Sequence, residues 1–265
     1  MKHHNLIKTL LLLFSTFCLT ANAVEPVSAV NLSKENTNWN LSARNFVKTT
    51  QADYLLFLPQ KYDAKSSRRW PLILFLHGAG ERGTNVWNVM VHGPAEYIEN
   101  HPDFPFILVM PQCSSGHKWS DETLLGILDC VTAECAVDTN RIYLTGLSMG
   151  GYGTWSLATT CPERFAAVAP VSGGEGIIGV LLSIMDEQRA PALRKLPFWI
   201  FHGGKDNIVP LAESQRMLAA LKKNGVKEVE LTIYPEATHD CWAATYNNPR
   251  LYEWFLAHEL SRANK

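Results

Sequence analysis

The sequence predicts an open, doubly wound α/β sheet, mostly parallel, with helices on both faces. Three observations carry this prediction. Short runs of apolar, β-branched and aromatic residues recur along the 265-residue chain. From residue 71 onward these runs are almost wholly apolar rather than alternating, as expected for strands covered on both faces. Helix-period patterns lie between them, and parallel neighbours need such crossovers. In a sheet of this kind the ligand site lies beyond the carboxyl ends of the strands.

In chain order the strand candidates are "ADYLLFLP" from 52, "PLILFLHG" from 71, "FPFILVMP" from 104, "NRIYLTG" from 140, "FAAVAPVSGG" from 165, "FWIFHGG" from 198 and "VELTIYP" from 229. Each is four to eight apolar residues closed by Pro or Gly, the turn signal that stops a strand. The clearest helical patterns cover 122–135, 149–160, 212–224 and 248–262. The apolar run "GIIGVLLSIM", 176–185, admits two readings: an ordinary packed helix, which is preferred, or a helix roofing an acyl pocket.

Residues 1–23 read as a cleavable export signal. Lys2 and Lys8 form a positive start, an apolar stretch follows from Leu10, and Ala21-Asn22-Ala23 is an A-x-A cleavage site. Its apolar part is too short to span a bilayer. This predicts a secreted or periplasmic protein with one catalytic domain, 24–265, and no stable membrane anchor. Losing the signal removes two lysines and no acid, which takes the charge from −1 to −3. Without a basic run, nucleic acid is excluded as a partner. Cys113, Cys130, Cys135, Cys161 and Cys241 remain, an odd number that allows at most two bridges whose pairing sequence does not choose. There is no C-x-x-C or H-E-x-x-H, so neither a metal nor another cofactor is expected.

The chemistry concentrates at the strand ends. After "NRIYLT" comes Gly146-Leu147-Ser148-Met149-Gly150, the G-x-S-x-G of a sharp strand-to-helix turn that lifts a serine hydroxyl above the sheet. The helix that starts at Met149 aims its first N–H groups at the same space. After "PLILFL" comes His77-Gly78-Ala79-Gly80-Glu81-Arg82-Gly83, where small residues leave backbone N–H groups open to a substrate oxygen. An oxyanion hole would take one donor from Met149 and the other from Ala79 or Gly80. His77 is read as orienting this loop. Asp206 stands in the turn after "FWIFHGG", where His202 is also read as structural, and His239 stands in the polar loop after "VELTIYP". Serine, acid and histidine, each beyond a successive strand, is the order of the α/β-hydrolase fold.

From about residue 50 onward the chain resembles the esterase branch of the α/β-hydrolase superfamily. It is most similar to small secreted esterases often described as predicted peptidases or phospholipase/carboxylesterases, related to polyhydroxybutyrate depolymerase-like and feruloyl esterase-like enzymes. "LHGAGERG" (76–83), "PQC" (111–113), "RIYLTGLSMGGYGTW" (141–155), "FHGGKDNIVP" (201–210) and "THDCW" (238–242) carry the resemblance. It implies a serine hydrolase with Ser148, His239 and Asp206 as its triad. The segment 175–197 is longer than in compact members of that group.

The expected activity is hydrolysis of short acyl esters, or of feruloyl or acetyl groups on carbohydrate, through an acyl-enzyme. Trp87, Trp119 and Trp242 are candidate aromatic walls for the substrate. A peptidase is the alternative, although serine peptidases of this fold often carry a propeller or large cap for which this chain has no room. A non-catalytic binding module is the other alternative, and such modules tend to lose triad members. Because the base must be neutral, activity should rise with pH through the histidine range, about 6.5 for the free side chain. Oligomeric state is left open.

Overall fold

A computed structural model describes residues 11–14 and 52–260. Among the described residues an eight-stranded sheet runs in the order β1-β2-β4-β3-β5-β6-β7-β8. The strands are β1 (Leu11–Phe14), β2 (Tyr54–Phe57), β3 (Trp70–Leu76), β4 (Ile107–Pro111), β5 (Val137–Leu147), β6 (Ala167–Val171), β7 (Phe198–Gly203) and β8 (Val229–Tyr234). All neighbours from β4 to β8 pair in parallel, while β2 is antiparallel to β4 and β1 to β2. The seven apolar runs picked out in the sequence are β2 to β8. Strand β1 falls in the apolar stretch of the expected export signal, whose charged start and cleavage site lie outside the described residues.

The helices are α1 (Pro94–Asn100), α2 (Asp121–Glu134), α3 (Met149–Thr160), α4 (Ile177–Met185), α5 (Ala190–Lys195), α6 (Leu211–Lys223), α7 (Trp242–Tyr246) and α8 (Pro249–Leu256). Successive strand residues point to opposite faces, and the core divides accordingly. Leu72, Leu74 and Leu76 of β3 join Trp155 of α3, Leu128 of α2 and Leu221 of α6 on one face. Ile73 and Phe75 join Ile98 of α1 and Leu251 and Phe255 of α8 on the other. With every residue of β3 buried, no polar alternation survives in its sequence. Each such Leu or Phe contributes roughly 1.5–3 kcal/mol by leaving water.

Segment 175–197 forms α4 and α5. Helix α4 packs against α3, α5 and α6. Its Gly179 lies beside Thr159, near the end of α3 remote from Ser148. At 1.5 Å per residue that end is about 16 Å from the serine, and Val180 is buried in the core, so this part of α4 packs on α3 away from Ser148. Helix α8 stops at Leu256, short of the expected 262; beyond it His258 pairs with Glu228.

Candidate active site

Strand β5 passes into α3 through one residue. Ser148 takes φ 53°, ψ −116°, a conformation side-chain-bearing residues rarely adopt. The flanking glycines are dictated by crowding: a Cβ on Gly150 would lie 1.9 Å from the Leu76 carbonyl oxygen, and one on Gly146 2.6 Å from the Gly150 oxygen. Helix α3 therefore starts directly over the end of β3. The Ser148 N–H donates to the Val171 carbonyl at 2.9 Å, which pins the corner to β6.

The acid and the histidine arrive on two loops in backbone contact. A Cβ on Gly203 would sit 2.0 Å from the Thr238 carbonyl oxygen. Gly204 N–H donates to Tyr234 O at 2.7 Å and Lys205 N–H to Ala237 O at 2.9 Å. His239 Nδ1 is then 2.8 Å from Asp206 Oδ2, and its Nε2 is 2.8 Å from Ser148 Oγ. Asp206 is fully buried, whereas His239 is 17% exposed. Burial pushes the Asp206 carboxyl up, but the hydrogen bond from His239 and the N–H groups of Val209 and Ile208 outweigh it and hold the group below its ordinary range. An ionised Asp206 accepts from Nδ1–H, which leaves the Nε2 lone pair facing the serine hydroxyl.

Across the site, Met149 opens α3, and Ala79 and Gly80 open an exposed 3-10 turn, Ala79–Glu81. His77, 1% exposed, holds this loop: its Nδ1–H donates to Gly78 O at 2.6 Å, and its Nε2 accepts the Cys113 N–H at 3.0 Å. The bond that Nε2 accepts requires the neutral ring, and burial lowers its pKa. Gln112, part of the "PQC" stretch but given no role from the sequence, donates its amide to Glu81 O at 2.8 Å and Cys113 O at 3.0 Å, closing the loop from behind.

The three tryptophans part company. Trp242 stands edge-on to the His239 ring, centroids 5.2 Å apart. Trp119 donates its Nε1–H to His77 O at 3.2 Å and presses on Gly153, so it braces the loop from the α3 side. Trp87 projects from the 3-10 turn Val86–Met90, 42% exposed. Cys113, Cys135, Cys161 and Cys241 are free thiols, so no bridge joins any two of them. Among the described residues no cluster of three His, Cys, Asp or Glu side chains is placed to hold a metal.

The model of the dienelactone hydrolase family matches residues 116–252, about half of the chain, and that span contains Ser148, Asp206 and His239. The chain belongs to the dienelactone hydrolase family. The "LHGAGERG" loop precedes the matched span. A probable feruloyl esterase C of Aspergillus terreus is 27% identical over 164 residues, covering 60% of this chain and 56% of that protein. A poly(3-hydroxyoctanoate) depolymerase of Pseudomonas fluorescens is 28% identical over 173 residues, covering 65% and 55%. The chain thus spans little more than half the length of these curated relatives. The crystal structure of a thermostable esterase superposes with a TM-score of 0.68 at 30% identity, covering 80% of this chain and 60% of that one.

Proposed function

We propose that this member of the dienelactone hydrolase family is a secreted serine esterase acting on carboxylic esters, either short acyl esters or feruloyl and acetyl groups on carbohydrate. The observation that carries the reading is the continuous chain of 2.8 Å contacts from Ser148 Oγ through His239 to buried Asp206. His239 Nε2 takes the hydroxyl proton as Ser148 Oγ attacks the ester carbonyl. Asp206 keeps the imidazole in the Nδ1–H tautomer and stabilises the imidazolium. The N–H groups of Met149 and of Ala79 or Gly80 receive the oxyanion, where losing one donor costs about 3 kcal/mol. His239 returns the proton to the leaving alcohol, and water repeats the sequence on the acyl-enzyme.

The relatives support the substrate class by their names alone, among them the feruloyl esterase C and a bifunctional acetylxylan esterase/xylanase of Neocallimastix patriciarum. Exposed Trp87, and Trp242 beside His239, are apolar surfaces on which a phenolic or sugar ring can stack. The test is steady-state turnover of p-nitrophenyl esters of graded length, methyl ferulate, acetylated xylan and peptide anilides by wild type and Ser148→Ala. Ester turnover lost in Ser148→Ala is the expected result. Turnover of anilides alone would replace the esterase with a peptidase.

A further inference from the structure

Along β7 the residues facing α3 and α6 are Phe198, Ile200 and then His202, an imidazole with no exposed surface. A ring buried in that position is costly unless both nitrogens find partners. His202 Nε2 lies 2.9 Å from the Val209 carbonyl oxygen and 3.2 Å from Asp206 Oδ2. Both of those atoms only accept, so Nε2 carries the proton and shares it between them. Nδ1 lies 2.7 Å from Ser214 Oγ on α6, and this hydroxyl is in turn 3.3 Å from the Gly173 carbonyl oxygen. Gly173 is packed against Gly151 in the first turn of α3.

Asp206 thereby has a full set of donors. Its Oδ1 accepts the N–H groups of Ile208 and Val209, both at 2.9 Å. Its Oδ2 faces His239 Nδ1 at 2.8 Å and His202 Nε2 at 3.2 Å. We propose that His202 is a positioning residue for the reaction: a second imidazole that shares Oδ2 of Asp206 with His239, fixes the carboxylate plane, and ties the acid to α6 through the Ser214 hydroxyl that donates to its Nδ1. The proposal rests on the serine-hydrolase reading. Without the Nε2 donor, Oδ2 keeps only His239, its charge is less shared, and the imidazolium of His239 is held more strongly. The acidic limb of the rate then moves to higher pH, while the freed carboxylate lowers kcat and leaves KM unchanged.

The other titratable or charged groups around this pair include Tyr152 on α3, Glu175 ahead of α4, Glu213 and Arg216 on α6, and Asp240 and Cys241 after His239. Cys241, pushed up to about 11 by burial, stays a thiol across the range tested.

The experiment combines tautomer and kinetics. In the ¹⁵N-labelled wild type, long-range ¹H–¹⁵N spectra assign the His202 tautomer with no substitution and no substrate. The Nε2–H form is expected, and an Nδ1–H form overturns the proposal. His202→Phe, which keeps a ring without a donor, and His202→Gln, whose amide reaches the Nε2 position, are then compared with wild type over pH 5–9. The phenylalanine variant should lose roughly 10–100-fold in kcat, by analogy with the hydrogen-bond partners that orient metal-ligating side chains, with its acidic limb raised. The glutamine variant should recover most of both. Equal kcat and identical pH profiles in all three proteins overturn the proposal. If His202→Phe does not fold, His202→Gln and Ser214→Ala carry the kinetic arm. Ser214→Ala, which removes the Nδ1 partner at 2.7 Å, should then lower kcat with KM unchanged and raise the acidic limb; wild-type kcat and pH profile in Ser214→Ala overturn the proposal. Ser148→Ala runs beside every variant: turnover surviving there sinks the serine reading itself, whereas its loss with an indifferent His202 sinks only this inference.

Discussion

Ser148 holds a backbone conformation that costs a side-chain-bearing residue about 1–3 kcal/mol. Ser148→Gly relieves that cost and Ser148→Ala retains it. Both should be inactive, and thermal melts should place the glycine variant above the alanine one; equal melting temperatures would mean the corner is unstrained. His77 gives a pH prediction. Its folded pKa is depressed by burial, so its contribution to stability is full above the ordinary histidine pKa, about 6.5, and is lost as pH falls through the folded value. Hydrogen-exchange protection of the Cys113 amide, corrected for intrinsic rate, should therefore fall on moving from pH 7.5 to 5. Unchanged protection would remove His77 from the loop's support. Ser148, Asp206 and His239 were legible from chain order and from their places after the strands that became β5, β7 and β8. The second contact on Asp206 was not, because the spacing of His202 and Asp206 says nothing about which way the loop between them curls.

At the scale of elements, the strand-end glycines separate those that geometry demands from those it tolerates. A Cβ at Gly150 or Gly203 would meet backbone at about 2 Å, whereas one at Gly80 meets nothing within 4 Å. Gly150→Ala and Gly203→Ala should yield little soluble folded protein, and Gly80→Ala should fold like wild type by circular dichroism. Helix α4 offers the same contrast in side chains. Val180 is buried, but Ile178, Leu182 and Met185 are 66%, 62% and 78% exposed. Polar residues at those three positions should each change stability by less than about 0.5 kcal/mol, while Val180→Ala should cost about 1–3 kcal/mol in urea titrations. The strands were legible because burial on both faces leaves uninterrupted apolar runs. The placement of α4 was not, since a helix apolar all round does not declare which face it packs, and the start of β5, Val137 to Thr139, was hidden by its polar residues.

At the scale of the molecule, the sheet brings the ends of β3, β5, β7 and β8 to one edge, and with them Ser148, His239, Asp206 and the Ala79–Glu81 turn from separate stretches of chain, the parts that the proposed esterase uses. No helix among the described residues is long and apolar enough to cross a membrane. The claim on which the rest depends is that Ser148 is an activated nucleophile. The most direct measurement is the intact mass of the folded protein after treatment with a fluorophosphonate, followed by peptide mapping. The account predicts one phosphonyl group per chain, on Ser148, absent from Ser148→Ala and from urea-unfolded protein. No adduct on the folded wild type, or an adduct that persists in Ser148→Ala, would contradict it.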